Sequence, residues 1–317
     1  MPAAILPSPA RDLWHLGPVP VRAYAVCVIA GIGVAVVVAS RRYRRIGGQR
    51  GVILDVATLA VPAALIGARA YGVITSYQLF FGRGHDWTAV LRIWDGRIGI
   101  PGALAGGAAG AWIACRRAGV AFAPVAGAAA PGVAFGQAVG RWGNWFGQAL
   151  YGRPTTLPWG VAIDPEHRVR GYENFAVFQP AFLYESAWDL LVGAAVIYAA
   201  RRFLLTGDRA FALYACCYAI GGFWVESLRI DYSHHLLGLR VNQWVLAVVF
   251  AAAVGYLYLT RRKRGPDSIA AAAGAGAGAD AGAGAGAGSG TRTRTPSQAD
   301  AFEASMSAYS IIPACSS

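Results

Sequence analysis

Seven long apolar segments dominate this chain and restrict it to one class of fold. They span residues 21–39, 52–77, 98–115, 121–139, 176–199, 208–228 and 241–260. Each approaches the roughly 20 apolar residues that an α-helix needs to cross a bilayer. Hydrophobic residues make up 56% of the chain and charged residues only 14%, which is typical of polytopic membrane proteins. The sequence therefore predicts an all-α membrane protein with about seven transmembrane helices.

Two of these segments are unusually rich in small residues. The third and fourth, 98–115 and 121–139, consist largely of alanine and glycine. Small side chains let the backbones of neighbouring helices approach closely within a membrane, although glycine lowers helix propensity. We expect both segments to pack tightly against their neighbours.

Basic residues follow every second segment and predict the orientation of the chain. These residues are Arg41, Arg42, Arg44, Arg45, Arg50, Arg116, Arg117, Arg201, Arg202, Arg209, Arg261, Arg262, Lys263 and Arg264. Basic loops remain on the cytoplasmic side, which places the N-terminal segment 1–20 outside and the C-terminus in the cytoplasm. This topology also explains the net charge of +12 without a nucleic-acid partner.

The composition changes abruptly after the last apolar segment. Residues 271–290 largely alternate alanine and glycine, and a Thr-Arg-Thr-Arg-Thr-Pro run follows. Such a segment cannot bury a core. The sequence therefore predicts a transmembrane domain over 21–264 and a disordered cytoplasmic tail over 265–317.

Cysteine and histidine spacing offers no metal site. The five cysteines form no CxxC pair, and no histidine pair has helical ligand spacing. Buried cysteines acting as small apolar residues, and surface histidines, are the expected states. We therefore predict no metal site.

The segment from Gly140 to Pro154 carries the strongest functional signal. It places Arg141, Asn144 and several glycines where the fourth apolar segment ends. A cation at a membrane boundary requires an anionic or polar partner, and arginine can grip a phosphate with two parallel hydrogen bonds. An anionic lipid headgroup is the favoured partner. A simple topological anchor that reaches the headgroup layer is the alternative.

Further polar residues lie within or beside the apolar segments. Tyr24 lies early in the first segment and is either an interfacial residue or a contact to a headgroup. Arg69 and Tyr71 lie in the second, where an arginine needs a partner or a water-filled cavity. Candidate partners are Glu185 and Glu226. Alternatively, Glu226 pairs with Arg229 three residues later, and the charged residues within the segments only form structural ion pairs that hold the bundle together.

Several short motifs between about residues 20 and 262 form one recognisable set. They are Gly-Arg-Trp-Gly-Asn-Trp-Phe at 140–146, Leu-Tyr-Gly-Arg-Pro-Thr at 150–155, Gly-Ala-Arg-Ala-Tyr at 67–71, Ile-Trp-Asp-Gly at 93–96, Leu-Pro-Trp-Gly at 157–160, Gln-Pro-Ala-Phe-Leu-Tyr-Glu at 179–185 and Phe-Trp-Val-Glu-Ser-Leu-Arg at 223–229. Together they resemble the bacterial prolipoprotein diacylglyceryl transferases.

The resemblance implies a seven-helix, multi-pass enzyme of the bacterial plasma membrane with an outward-facing site. Such enzymes move the diacylglyceryl group of phosphatidylglycerol to the thiol of a lipobox cysteine in a prolipoprotein. The product is a thioether, glycerol phosphate leaves, and no cofactor is needed. The implied partners are phosphatidylglycerol, lipobox peptides and membrane lipids.

The resemblance also assigns roles to residues of this chain. Arg141 holds the phosphate, Asn144 orients it and Tyr24 shapes the headgroup pocket, so these three form the predicted catalytic set. The predicted substrate-binding positions are Arg141, Arg69, Tyr71, Gly152, Glu185, Glu226 and Arg229.

Four positions depart from the family pattern. Gly147 and Ala149 replace Asn and Glu, Gln179 replaces His, and Gly222 replaces Arg. Loss of the charges at 149 and 222 weakens the electrostatics of the site, and one charge-stabilising group is commonly worth about 100-fold in rate. The alternative function is therefore a slow or inactive relative that binds phosphatidylglycerol or prelipoproteins. A transporter or channel is a third class, which the hydropathy disfavours because it shows no inverted repeat.

Overall fold

The computed structural model describes residues 6–9, 11–16, 19–75, 77, 87–91, 99–231, 233 and 235–260 of the 317-residue chain. The helices of this part are α1 Ala23–Arg45, α2 Val52–Thr75, α3 Ile100–Arg117, α4 Phe122–Gly140, α5 Trp142–Phe146, α6 Ala181–Arg202, α7 Gly207–Leu228 and α8 Val241–Thr260. Its strands form three antiparallel pairs: β1 Leu13–Leu16 with β2 Val19–Arg22, β3 Val161–Ala162 with β4 Val177–Phe178, and β5 His235–Leu236 with β6 Leu239–Arg240. The predicted helical membrane fold is therefore confirmed.

One long helix corresponds to each of the seven predicted segments. Six of these helices are long and apolar enough to span a membrane by length and composition. The exception is α3, whose glycines and terminal arginines lower its mean hydropathy. The count of seven spans and the orientation of the termini therefore stay predictions. The predicted tail at 265–317 and the motif around Trp94 lie outside the described residues.

Two helix boundaries differ from the sequence-based expectation by five residues or more. Helix α1 continues through its arginines to Arg45 instead of ending at 39, because arginine has high helix propensity and its charge suits a helix C-terminus. Helix α6 begins at Ala181 instead of 176. Residues Val177–Phe178 form β4, and Pro180 disfavours helical geometry in the residue before it.

Small residues bring α4 and α3 into close contact with their neighbours, as expected. A Cβ built on Gly136 of α4 would lie 2.5 Å from the carbonyl oxygen of Gly31 in α1. A Cβ built on Gly67 of α2 would lie 3.1 Å from the Cα of Gly106 in α3. Helix α4 also packs against α6 and α7, and ten of its residues are buried. It is the central helix of the described bundle.

The predicted outward loop between α5 and α6 has a small apolar core of its own. Tyr151, Val161, Ile163, Phe178 and Phe182 pack together there. The Tyr151 hydroxyl donates to the His167 carbonyl at 2.8 Å and accepts from the Val169 amide at 2.7 Å. Burial raises the pKa of this phenol. The loop is therefore a packed element that fixes the polypeptide on either side of it.

Candidate functional site

Arg141 lies directly after the central helix α4 and directs each of its side-chain nitrogens at a different group. Its backbone N–H still donates to the Gln137 carbonyl at 2.9 Å, so the helical path continues to this residue. Nη1 lies 3.1 Å from Oε2 of Glu185. Nη2 lies 3.5 Å from the Tyr218 hydroxyl, at the outer limit for a hydrogen bond. The side chain retains 24% exposure, so a ligand can still reach it.

Two carboxylates of α6 face this guanidinium. Glu185 and Asp189 are four residues apart and therefore share one face of the helix. Nε of Arg141 lies 3.9 Å from Oδ2 of Asp189. This oxygen is buried and has no hydrogen-bond partner in the described part of the chain. Asp189 was not among the predicted site residues, although its spacing from Glu185 could have indicated it.

The other two predicted catalytic residues lie next to Arg141. Asn144 is buried, and its backbone N–H donates to the Arg141 carbonyl at 3.0 Å. Tyr24 of α1 packs on the intervening Gly143, where an added Cβ would lie only 2.7 Å from the tyrosine ring. Its hydroxyl is close enough to interact electrostatically with the guanidinium. The structure thus brings Arg141, Asn144 and Tyr24 together.

A second charged cluster lies at the end of α7. Glu226 contacts Arg229 at 3.1 Å, which confirms the predicted local pair, and it also contacts Arg240 at 3.0 Å. Asp231 contacts the same two arginines at 2.8 and 2.9 Å. Asn242 donates to Glu226 at 3.2 Å. The cluster contains two cations and two anions and is electrically balanced.

Burial and ion pairing have opposite effects on the pKa of Arg229. Burial disfavours its charged form, but the hydrogen bonds to Asp231 and the charge of Glu226 outweigh that effect. The pKa of Arg229 is therefore raised above its ordinary value. This guanidinium is a permanent cation that its carboxylate partners already neutralise.

The end of the 140–154 motif contacts this second cluster. Gly152 forms an antiparallel bridge with Arg229, and its N–H donates to the Gln179 carbonyl at 2.9 Å. A Cβ at Gly152 would lie 3.0 Å from Cβ of Gln179 and 3.2 Å from the Leu228 carbonyl oxygen. A side chain at this position would therefore crowd the segments around Gln179 and Leu228, which favours glycine.

Arg69 and Tyr71 belong to a different contact region. The Nε of Arg69 donates to the Val90 carbonyl at 2.9 Å. Tyr71 packs on α3, where a Cβ built on Gly102 would lie 2.5 Å from the tyrosine Cβ. The carboxylates of Glu185 and Glu226, predicted as partners of Arg69, contact other arginines instead. A substrate role for Arg69 and Tyr71 stays a prediction.

The four departures from the family pattern lie in four different environments. Gly147 ends α5, Ala149 is exposed, and Gln179 holds Gly152 and Arg153 through backbone hydrogen bonds. The three atoms nearest to a Cβ built on Gly222 belong to Leu246 of α8, at 3.2 to 3.8 Å. Residues 149 and 222 therefore do not depend on each other for packing, and their charge relationship stays a prediction.

Sequence reasoning also missed Tyr218 and Arg240. Tyr218 stacks on Tyr214 with ring centroids 5.9 Å apart, and the Tyr214 hydroxyl donates to Gln137 at 2.7 Å. Arg240 precedes α8 and contacts Glu226 across the gap between α7 and α8. A tyrosine in an apolar helix and an arginine before one carry no distinguishing sequence signal.

In the described part of the chain, no three His, Cys, Asp or Glu side chains form a group suited to a metal ion.

Apolar helices around a buried arginine–carboxylate site define a polytopic membrane protein with a polar centre at one end of its bundle. The prolipoprotein diacylglyceryl transferase family matches residues 11–259. The chain belongs to this family, which confirms the resemblance found in its motifs.

The chain also matches individual relatives over most of their length. The chain is 51% identical over 266 residues to phosphatidylglycerol–prolipoprotein diacylglyceryl transferase 1 of Streptomyces coelicolor, covering 83% of this chain and 76% of the relative. It is 49% identical over 271 residues to transferase 2 of the same organism, covering 85% and 86%. It is 46% identical over 260 residues to the Cutibacterium acnes transferase, covering 82% and 88%.

Proposed function

We propose that this protein transfers the diacylglyceryl group of phosphatidylglycerol to the lipobox cysteine of prolipoproteins, at the outer face of the bacterial plasma membrane. Membership of the transferase family and the names of its relatives support this activity. The structural observation that carries the proposal is the position of Arg141. It lies at the end of the central helix, beside Asn144 and Tyr24, anchored but accessible.

The reaction exchanges one bond for another at a glyceryl carbon. The thiolate sulfur of the acceptor cysteine forms a C–S bond as the bond between that carbon and the phosphate oxygen breaks. The bonding electrons leave with glycerol phosphate, and the proton of the thiol passes to solvent. No change of oxidation state occurs, so the proposed reaction balances without a redox partner.

The protein's contribution to this reaction is electrostatic. Negative charge grows on the phosphate oxygen as the bond to carbon breaks, and fixed donors in a water-poor site stabilise such charge strongly. In the proposed site, Arg141 supplies the cation and Asn144 an amide next to it. Tyr24 closes the side formed by α1. Anchoring by Glu185 keeps the guanidinium in place before the lipid arrives.

A reconstituted assay tests the proposal. Purified protein in phosphatidylglycerol vesicles receives a lipobox peptide, and mass spectrometry measures the thioether product. Arg141→Lys keeps the charge but offers one nitrogen where the native side chain directs three. We expect a fall in kcat of about 100-fold or more. Arg117→Lys, on the exposed end of α3, is the matched control and should leave the rate unchanged.

Two results would contradict the proposal. One is a native rate of thioether formation in the Arg141→Lys protein. The other is a well-inserted native protein that fails to restore lipoprotein modification in cells depleted of their own transferase. A peptide with serine in place of the acceptor cysteine should give no product and establishes that the sulfur is the site of attachment.

A further inference from the structure

The charge around Arg141 is unfavourable for an anion. One guanidinium lies between the carboxyl groups of Glu185 and Asp189. With both ionised, this group has a net charge of −1 before any lipid binds. The neighbouring cluster of Glu226, Arg229, Asp231 and Arg240 is balanced and supplies no spare positive charge. A phosphodiester arriving at Arg141 would add a second uncompensated negative charge.

Asp189 is the less well compensated of the two carboxyl groups. It is only 2% exposed, and its Oδ2 makes no hydrogen bond within the described part of the chain. The nearest Arg141 nitrogen is 3.9 Å away, whereas Glu185 lies at 3.1 Å. A buried carboxylate oxygen without a hydrogen bond is costly, and protonation of the carboxyl group lowers that cost. Asp189 is therefore the carboxyl group whose protonation most easily removes the excess negative charge around Arg141.

Among the described residues, the other elements packed around Asp189 supply no further cation. Helix α4 leads to Arg141, and the titratable groups of α7 that interact with the carboxyl are Tyr214 and Tyr218. Both tyrosines are neutral when protonated and cannot balance a negative charge. Helix α5 has the sequence Trp-Gly-Asn-Trp-Phe and contains no titratable side chain. From α6 itself, Glu185 adds a like charge.

We propose that Asp189 couples the binding of an anionic lipid phosphate at Arg141 to the uptake of a proton. This proposal rests on the proposed function, because it assumes that Arg141 is the phosphate-binding cation. The ionised carboxylate takes one proton from solution as the phosphodiester binds, and no covalent bond to lipid changes. Asp189 does not contact the lipid: it acts through Arg141 as a positioning residue. Once Asp189 is protonated and neutral, the Arg141 guanidinium no longer has to balance its charge and can neutralise the phosphate.

Lipid binding without a peptide acceptor tests this coupling. The affinity of the purified full chain for phosphatidylglycerol is measured in detergent between about pH 5 and about pH 9, with phosphatidylcholine as the zwitterionic reference. For native protein we expect affinity to fall by up to about tenfold per pH unit once Asp189 has lost its proton. Asp189→Asn should remove this dependence and bind at high pH as the native protein does at low pH.

A matched variant and a second measurement keep the test decisive. Asp208→Asn removes an aspartate at the other end of the bundle, which interacts with Tyr256 of α8, and should leave the pH dependence intact. The native protein, mixed with phosphatidylglycerol in weak buffer containing a pH indicator, should take up as much as one proton per bound lipid. This readout does not depend on whether Asp189→Asn folds.

The outcomes separate this inference from the proposed function. Phosphatidylglycerol binding without proton uptake, or with the same pH dependence in Asp189→Asn, overturns the coupling and leaves the transferase proposal standing. Proton-coupled binding without any thioether product supports the coupling and overturns the transferase proposal. Absence of phosphatidylglycerol binding overturns both.

Discussion

Replacing Glu226 by glutamine tests whether the second charged cluster stabilises the end of the bundle. The change preserves shape but leaves Arg229 and Arg240 with Asp231 as their remaining acidic partner in the cluster, so the cluster changes from neutral to +1. Each lost pair has its charged atoms about 3 Å apart. At an effective dielectric constant of about 20, each is worth about 5 kcal/mol before desolvation is subtracted. Breaking buried pairs costs about 3–5 kcal/mol in practice, which predicts a loss of about 6–20 °C in Tm.

Thermal unfolding in detergent provides the measurement. Glu166→Gln is the control, because this side chain is 81% exposed, and its effect should be within about 0.5 kcal/mol. Adding Arg240→Gln to Glu226→Gln restores neutrality, so the double variant should lose less than the sum of the two single changes. A Glu226→Gln protein as stable as the Glu166→Gln control, or strictly additive effects, would refute the reasoning.

Two further predictions concern the motif and the departures from the family pattern. Gly152→Val should lower stability by about 1–3 kcal/mol and reduce thioether formation, because the new side chain separates segments that now touch. The same change at Gly255, which has open space around it, is the reference in a melting experiment. Ala149→Glu combined with Gly222→Arg should raise thioether formation by about 100-fold if both positions return charge to the site. An unchanged rate in the correctly folded double variant would show that these substitutions do not limit turnover.

The sequence determined the fold more closely than the site because hydropathy is local information. The limits of the last segment, 241–260, coincide with those of α8, since apolar length alone defines such a helix. The Glu226–Arg229 pair was also predictable, because residues three apart share a helix face. Arg141 and Glu185 are 44 positions apart on different helices, and no periodicity relates them. Only packing of α4 against α6 brings these two side chains together.

The motif at 140–154 joins both charged clusters. Its first part places Arg141 and Asn144 beside α6, and its last part is held by Gly152 and Arg153 at the end of α7. Between them, Gln148 donates to the Asp164 carboxylate at 2.6 Å and accepts from the Asp164 amide at 2.8 Å. Preorganised donors stabilise developing charge only when their supports cannot move. In the proposed site, the packed loop between α5 and α6 is the support that would hold Arg141 in place for a phosphate.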